Sequence, residues 1–249
     1  MAIRLAPVVA VLTGVLNQYQ KSGNRDGEAN TLCALGNSYN SLGQQQKAID
    51  AFQRALAIYR AAGNKASEAN TLSRLGDVYR GWGFPDLALH FYRDALQLHA
   101  QVNDQPGKAV LLNNLGVTYL SLSNKKKALD FLNQARTAYD QAGDRHAAVL
   151  TLINIGAGEN FLARDHQRAI SLFQEAIAEL APFNDRANQA DAYELLGVVW
   201  AGLRRQETAE TNFRRALELY RELGDTHGEA SVLHRLNNLG EFHDLASER

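Results

Sequence analysis

The side chains able to do chemistry are few, and their spacing does not assemble them for it. Cys33 is the single cysteine, so no internal disulfide can form. As a nucleophile it would need a base beside it, and no histidine is spaced to supply one. The seven histidines are scattered, with no HExxH pair and none joined to the cysteine at metal-ligand spacing. His227 and His234 are seven residues apart and share a helical face, which reads as a surface or end-cap feature. The glycines form no phosphate-cradling loop. Lys125-Lys126-Lys127, Arg204-Arg205 and Arg214-Arg215 have no stacking aromatics between them, which fits a solvated face better than a nucleic-acid contact. The expectation is no catalytic residue, no metal and no cofactor.

Composition agrees. The chain has 249 residues, 45% of them hydrophobic, enough apolar material to fold without metals or disulfides. Lys plus Arg (26) nearly cancels Asp plus Glu (27), so there is no global field to draw in nucleic acid or an anionic membrane. No run reaches the roughly 18 apolar residues needed to span a bilayer. Leu5–Leu16 has the length of a signal-peptide core, but it lacks a small-residue cleavage site and lies in register with the repeat described next. A single unpaired cysteine suits a reducing, cytoplasmic setting.

The dominant signal is internal repetition. Leu35-Gly36, Leu75-Gly76, Leu115-Gly116, Ile155-Gly156 and Leu196-Gly197 recur at steps of 40, 40, 40 and 41 residues. In the first unit Leu32, Leu35, Tyr39 and Leu42 lie along one helical face, and Ala48, Phe52, Ala55 and Tyr59 along another. Gly43 and a glutamine run separate the two sets, so each unit is an antiparallel helix hairpin, helix A then helix B. Gly36 pairs with Ala48, and the same two places hold Gly76 and Ala88, Gly116 and Ala128, Gly156 and Ala169, and Gly197 and Ala209. These are small where helices come closest. Phe52, Tyr92, Leu132, Phe173 and Phe213 supply the large packing residue of helix B, each followed three later by alanine.

Gly23-Asn24, Gly63-Asn64, Gly143-Asp144 and Gly224-Asp225 place a glycine after helix B and a capping side chain before the next helix A. Pro7 and Pro85 stand where a B helix should begin, and Pro106 in the first turn of an A helix, so no proline falls mid-helix. The expected organisation is a single array over 1–249: a lone B helix at 5–23, repeats at 24–63, 64–103, 104–143, 144–184 and 185–224, and a half repeat or cap at 225–249. That last segment reads equally as the cut edge of a longer protein.

The order Leu35-Gly36, Tyr39, Ala48, Phe52, Ala55 resembles the tetratricopeptide repeat, with Leu32 where that family often has Trp. The period and the linker Gly23–Ala29 resemble its long-repeat branch, which includes Pins/LGN scaffolds and bacterial arrays that precede CHAT peptidases. The resemblance implies an all-α fold: an α-solenoid of antiparallel helix hairpins forming a right-handed superhelix, its concave wall lined by A helices. It also implies a binding groove. The family's groove positions fall on Asn30, Cys33, Asn37 and Asn40, then Asn70, Ser73, Asp77 and Arg80, then Val110, Asn113, Val117 and Leu120. They continue with Leu150, Ile153, Ala157 and Asn160, and end with Asp191 and Glu194. Asparagine amides at successive turns can hold the backbone of an extended peptide, with apolar anchors further along. Alternatively, Val117, Leu120 and Ile153 merely seal neighbouring A helices.

The lysine of the chaperone-binding subclass would fall at Cys33, Ser73, Asn113, Ile153 and Glu194, none of which is lysine. The implied partner is therefore a protein or peptide of another kind, with no nucleic acid and no membrane. Two further readings stand beside this scaffold: a regulatory region of a larger signalling or CHAT-protease system, and self-association through the unfinished Leu233/Leu236 face. Repeat four departs most from the template: Glu159 replaces the tyrosine, Gly158 weakens the helix, and one residue is added before Ala169. Either Glu159 is a buried or groove-facing acid for a ligand, or a small bulge turns Phe161 inward and leaves Glu159 in water.

Overall fold

The computed structural model describes residues 2–247, so residues 248 and 249 of the expected cap lie outside it. Twelve α-helices follow one another among the described residues: α1 (Ala2–Ser22), α2 (Arg25–Ser41), α3 (Gln45–Ala61), α4 (Lys65–Gly81), α5 (Pro85–Gln101), α6 (Gln105–Ser121), α7 (Lys125–Ala142), α8 (Arg145–Gly158), α9 (His166–Leu180), α10 (Arg186–Gly202), α11 (Gln206–Leu223) and α12 (Thr226–Ser247). They fall into two compact units, residues 1–122 with α1 to α6 and 123–249 with α7 to α12. Within each unit every helix packs on the next, as expected for stacked hairpins.

The hairpins close on a ring-against-glycine contact. A Cβ at Gly36, Gly76, Gly156 or Gly197 would land 2.5–2.8 Å from the ring of Phe52, Tyr92, Phe173 or Phe213. The glycine thus makes room for the B-helix aromatic itself, and the alanines beside it are fully buried. A second glycine series does the same at three of the B-to-A junctions. Gly27 lies under Tyr19, Gly107 under His99 and Gly228 under Tyr220, again with distances near 2.5 Å. This series follows no Leu-Gly signature, and the sequence reading passed over it.

Helix ends follow the expected chemistry. Asn24, Asn64, Asp104, Asp144, Asp185 and Asp225 each accept a hydrogen bond from the backbone N–H three residues on. Gly23, Gly63, Gly143 and Gly224 are left-handed. The same conformation falls on Ser123, Arg164 and Arg204, where a side chain makes it costly by about 1 kcal/mol. One expectation needs correcting: α1 is helical from Ala2, so Pro7 lies inside it and not at its start.

Repeat four absorbs its extra residue as a π-helical turn, Glu159–Ala163, the usual way a helix accommodates one insertion. The bulge is real, but the side chains are arranged opposite to the solvated reading. Phe161 is 58% exposed, while Glu159 is 8% exposed and pairs with Arg168 Nε at 3.0 Å. The wider turn rotates the phenylalanine outward and carries the acid in, where the cation at the start of α9 neutralises it.

Gly76→Ala should destabilise the chain by about 1–3 kcal/mol in urea unfolding, because the methyl drives into the Tyr92 ring. Gly14→Ala, which meets nothing within 4 Å in the middle of α1, should gain about 0.5–1 kcal/mol. Equal effects from the two would contradict the ring-on-glycine account.

Candidate functional site

Within residues 1–122, the A helices α2, α4 and α6 touch in succession and form one wall. Asn37, Asn40 and Asn70 are exposed on it, with Val110 44% exposed. Ser73, Asp77, Arg80, Asn113, Val117 and Leu120 are half-buried. The side chains of Asn37, Asn40 and Asn70 make no hydrogen bond among the described residues, so their amides remain uncommitted.

Other positions on the wall are already engaged. Asn30 accepts the Tyr59 hydroxyl at 2.7 Å. Cys33 lies 4.0 Å from that hydroxyl and 3.6 Å from Thr71 Oγ1, so its polar neighbours are hydroxyls and not a base. Asp77 Oδ1 accepts from Tyr92 OH at 2.7 Å and from Asn114 Nδ2 at 3.1 Å, and Arg80 Nε donates to the same Tyr92 oxygen at 3.3 Å. Burial raises the Asp77 carboxyl above its ordinary value, against the pull of Tyr92 and of Arg80 and Arg74. Burial, with the Asp77 charge beside it, raises the Tyr92 phenol as well.

Four of the mapped positions, Asn70, Ser73, Asp77 and Val110, surround a single cavity of about 220 Å³ between α4 and α6, closed by Arg74, His99 and Gly107. His99 is buried, and its Nδ1 meets Asp104 Oδ2 at 2.8 Å while Asp104 Oδ1 caps the Gly107 N–H. Neither His99 nor Arg74 was on the sequence-derived wall. A signal for His99 was available, since Tyr19, Tyr59, Tyr139 and Tyr220 hold the corresponding places, and His99, with Leu180 in repeat four, breaks the series.

Within residues 123–249 the mapped positions are mostly consumed internally. Ile153 and Asn160 are buried, although both were expected on the wall, and Leu150 and Ala157 are half-buried. The π turn carries Asn160 inward, where its Oδ1 meets His166 Nδ1 at 2.8 Å. Asp191 and Glu194 accept the Tyr220 hydroxyl at 2.6 and 3.1 Å, and Glu194 also takes Ser231 and Arg235. These acids join α10, α11 and α12 to one another. Burial raises the Asp191 carboxyl despite the Tyr220 hydrogen bond. A second cavity of about 420 Å³ lies between α7, α8 and α9, lined by Arg136, Arg145 and Glu179 among others. Its arginines already pair with Glu175 and Glu179 at 3.0 and 3.3 Å.

Among the described residues no helix is long and apolar enough to cross a membrane. The sequence profile described as tetratricopeptide repeat matches residues 10–61 and 67–141. No curated protein matches the sequence. Among solved structures, BtubC (BKLC) from P. vanneervenii superposes with a TM-score of 0.77 at 19% identity, over 90% of this chain and 93% of that one. Aspartyl phosphate phosphatase F from Bacillus subtilis gives 0.74 at 16% identity, over 86% of this chain and 57% of that one. A Rap protein complexed with Competence and Sporulation Factor gives 0.63 at 17% identity, over 89% and 66%. At such identities these likenesses speak to the fold.

Two substitutions test the charges just described. Because the folded pKa of Asp77 is raised, the native chain holds that proton more tightly than the unfolded chain does. Its contribution to stability therefore declines as pH rises through the window that begins at the ordinary value of 3.8. Asp77→Asn keeps the acceptor oxygen, so it should match the parent at acid pH and exceed it at neutral pH by up to about 1 kcal/mol in thermal melts. Arg168→Ala should cost about 1 kcal/mol, since Arg168 is partly solvated, and adding Glu159→Gln should recover most of that loss. No recovery would mean that the cation does not serve to neutralise Glu159.

Proposed function

The chain belongs to the tetratricopeptide repeat family, and we propose that it is an interaction scaffold that binds a peptide or an extended partner segment along the A-helix wall. The observation that carries this reading is the set of uncommitted amides at Asn37 and Asn40 on α2 and Asn70 on α4, with exposed Val110 on α6, on three A helices that touch in succession. An amide presents a donor and an acceptor together, so a row of them can hold peptide backbone whatever its sequence. The exposed valine and half-buried Val117 and Leu120 offer apolar contact that backbone binding alone does not supply. The Rap protein complexed with Competence and Sporulation Factor is a precedent for a bound factor on a related fold.

The 40-residue spacing supports placement in the long-repeat branch, and the five hairpins are read as one array. In the second unit the mapped side chains are largely held by their own neighbours, so recognition there rests on shape and apolar contact. The array is a protein-binding element of a reducing, cytoplasmic compartment. A second reading, the regulatory region of a larger signalling protein, draws on the likeness to phosphatase F, of which this chain matches 57%.

Peptides selected by display against the full chain should bind in fluorescence anisotropy and lose at least about tenfold in affinity to the Asn37→Ala, Asn40→Ala, Leu120→Ala triple variant. Arg80 is left intact because it supports Tyr92. Undiminished binding by a variant that melts like the parent would reject the groove.

A further inference from the structure

The last aromatic of a B helix has a recurring task in this chain. Tyr59 donates to Asn30 on the A helix of its own repeat, and Tyr220 donates to Asp191 in the same way, each 29 residues apart. In repeat two the corresponding pair is His99 and Asn70. The imidazole ends short of where a phenol hydroxyl would reach, and its Nδ1 is turned instead to Asp104. Among the described residues Asn70 lacks the bond that Asn30 and Asp191 make, and the space between it and His99 is the cavity of about 220 Å³.

We infer that this cavity is a side-chain subsite for a neutral carboxamide, such as the glutamine or asparagine of a bound peptide, an assignment that rests on the groove reading above. Size comes first: about 220 Å³ is below the range of about 300–1,000 Å³ usual for a whole small-molecule ligand, and suits one side chain. Charge comes next. Arg74 lines the cavity with its charge attracted to Asp77, so an ammonium or guanidinium group would meet the Arg74 cation and compete with it for that acid. Asp77 lines it too, with Oδ1 taken by Tyr92 and Asn114 but Oδ2 without a hydrogen bond among the described residues, so a carboxylate would meet a like charge. An apolar group would cover Ser73 and that oxygen without offering either a hydrogen bond. A carboxamide carries no charge, donates to the Asp77 oxygen and accepts from Asn70 or Arg74.

His99→Tyr is the natural test, because tyrosine stands at this place in other repeats and Gly107 already provides the clearance that Gly27 gives Tyr19 and Gly228 gives Tyr220. The phenol should fill the space and return the hydroxyl bond to Asn70. The probe is N-acetylglutamine methylamide, titrated into the full chain while backbone amide NMR signals are followed. Saturable shifts at Asn70, Ser73 and Gly107 are expected in the parent and should be absent in His99→Tyr. The lysine, glutamate and leucine counterparts of the probe should bind at least about tenfold more weakly. Should His99→Tyr melt early, Ser73→Leu closes the same cavity from α4 and takes its place.

No shift at these signals, equal shifts in the cavity-filling variant, or equal binding of a charged or apolar probe would each overturn the assignment. Display-selected peptides that need Asn37, Asn40 and Leu120 but show no preference for glutamine or asparagine would overturn the subsite while leaving the groove intact.

Discussion

Everything in this chain depends on how closely a B-helix ring can approach the backbone of the A helix beside it. Phe52, Tyr92, Phe173 and Phe213 press against Gly36, Gly76, Gly156 and Gly197 at distances that leave no room for a methyl group. The contact sets the spacing within a hairpin, and the junction glycines Gly27, Gly107 and Gly228 set the spacing to the next. Rings and glycines together fix where each A helix lies, and so which of its residues face outward. Packing of this kind tolerates little change in volume, so function has to be written on the remaining faces.

The A-helix wall shows how that is done. Where a terminal tyrosine reaches its A helix, as Tyr59 and Tyr220 do, the wall position is tied down and serves stability. Where His99 stands instead, the same backbone geometry leaves an open polar space beside Asn70. A single shortened side chain therefore opens a space at a position that is otherwise tied down, without disturbing the glycine beneath it. The acids differ in the same sense: Glu194 accepts from Ser231, Arg235 and Tyr220, whereas Asp77 keeps one oxygen unbonded among the described residues.

The helix hairpins, their caps and their buried alanines were legible in the sequence because each rests on a periodic or short-range signal. Leu-Gly pairs, Asn and Asp caps and Ala48-type positions act within a turn or two of themselves. The π turn was legible only as an irregularity. Spacing revealed the inserted residue, but which way Phe161 and Glu159 would rotate depended on Arg168, in another helix. The wall positions could be mapped, but not which of them were already engaged, because Tyr59 to Asn30 and Asn114 to Asp77 join residues 29 and 37 apart. His99 was visible as a break in a tyrosine series. Its meaning appeared only once the cavity beside it was in view.

The most direct test of this account is hydrogen–deuterium exchange on the full chain, with and without a display-selected peptide. Binding along the A-helix wall predicts that added protection concentrates in α4 and α6, around Asn70 to Asp77 and Gly107 to Val110. Protection confined to the B helices α3 and α5, with α4 and α6 unchanged, would contradict it.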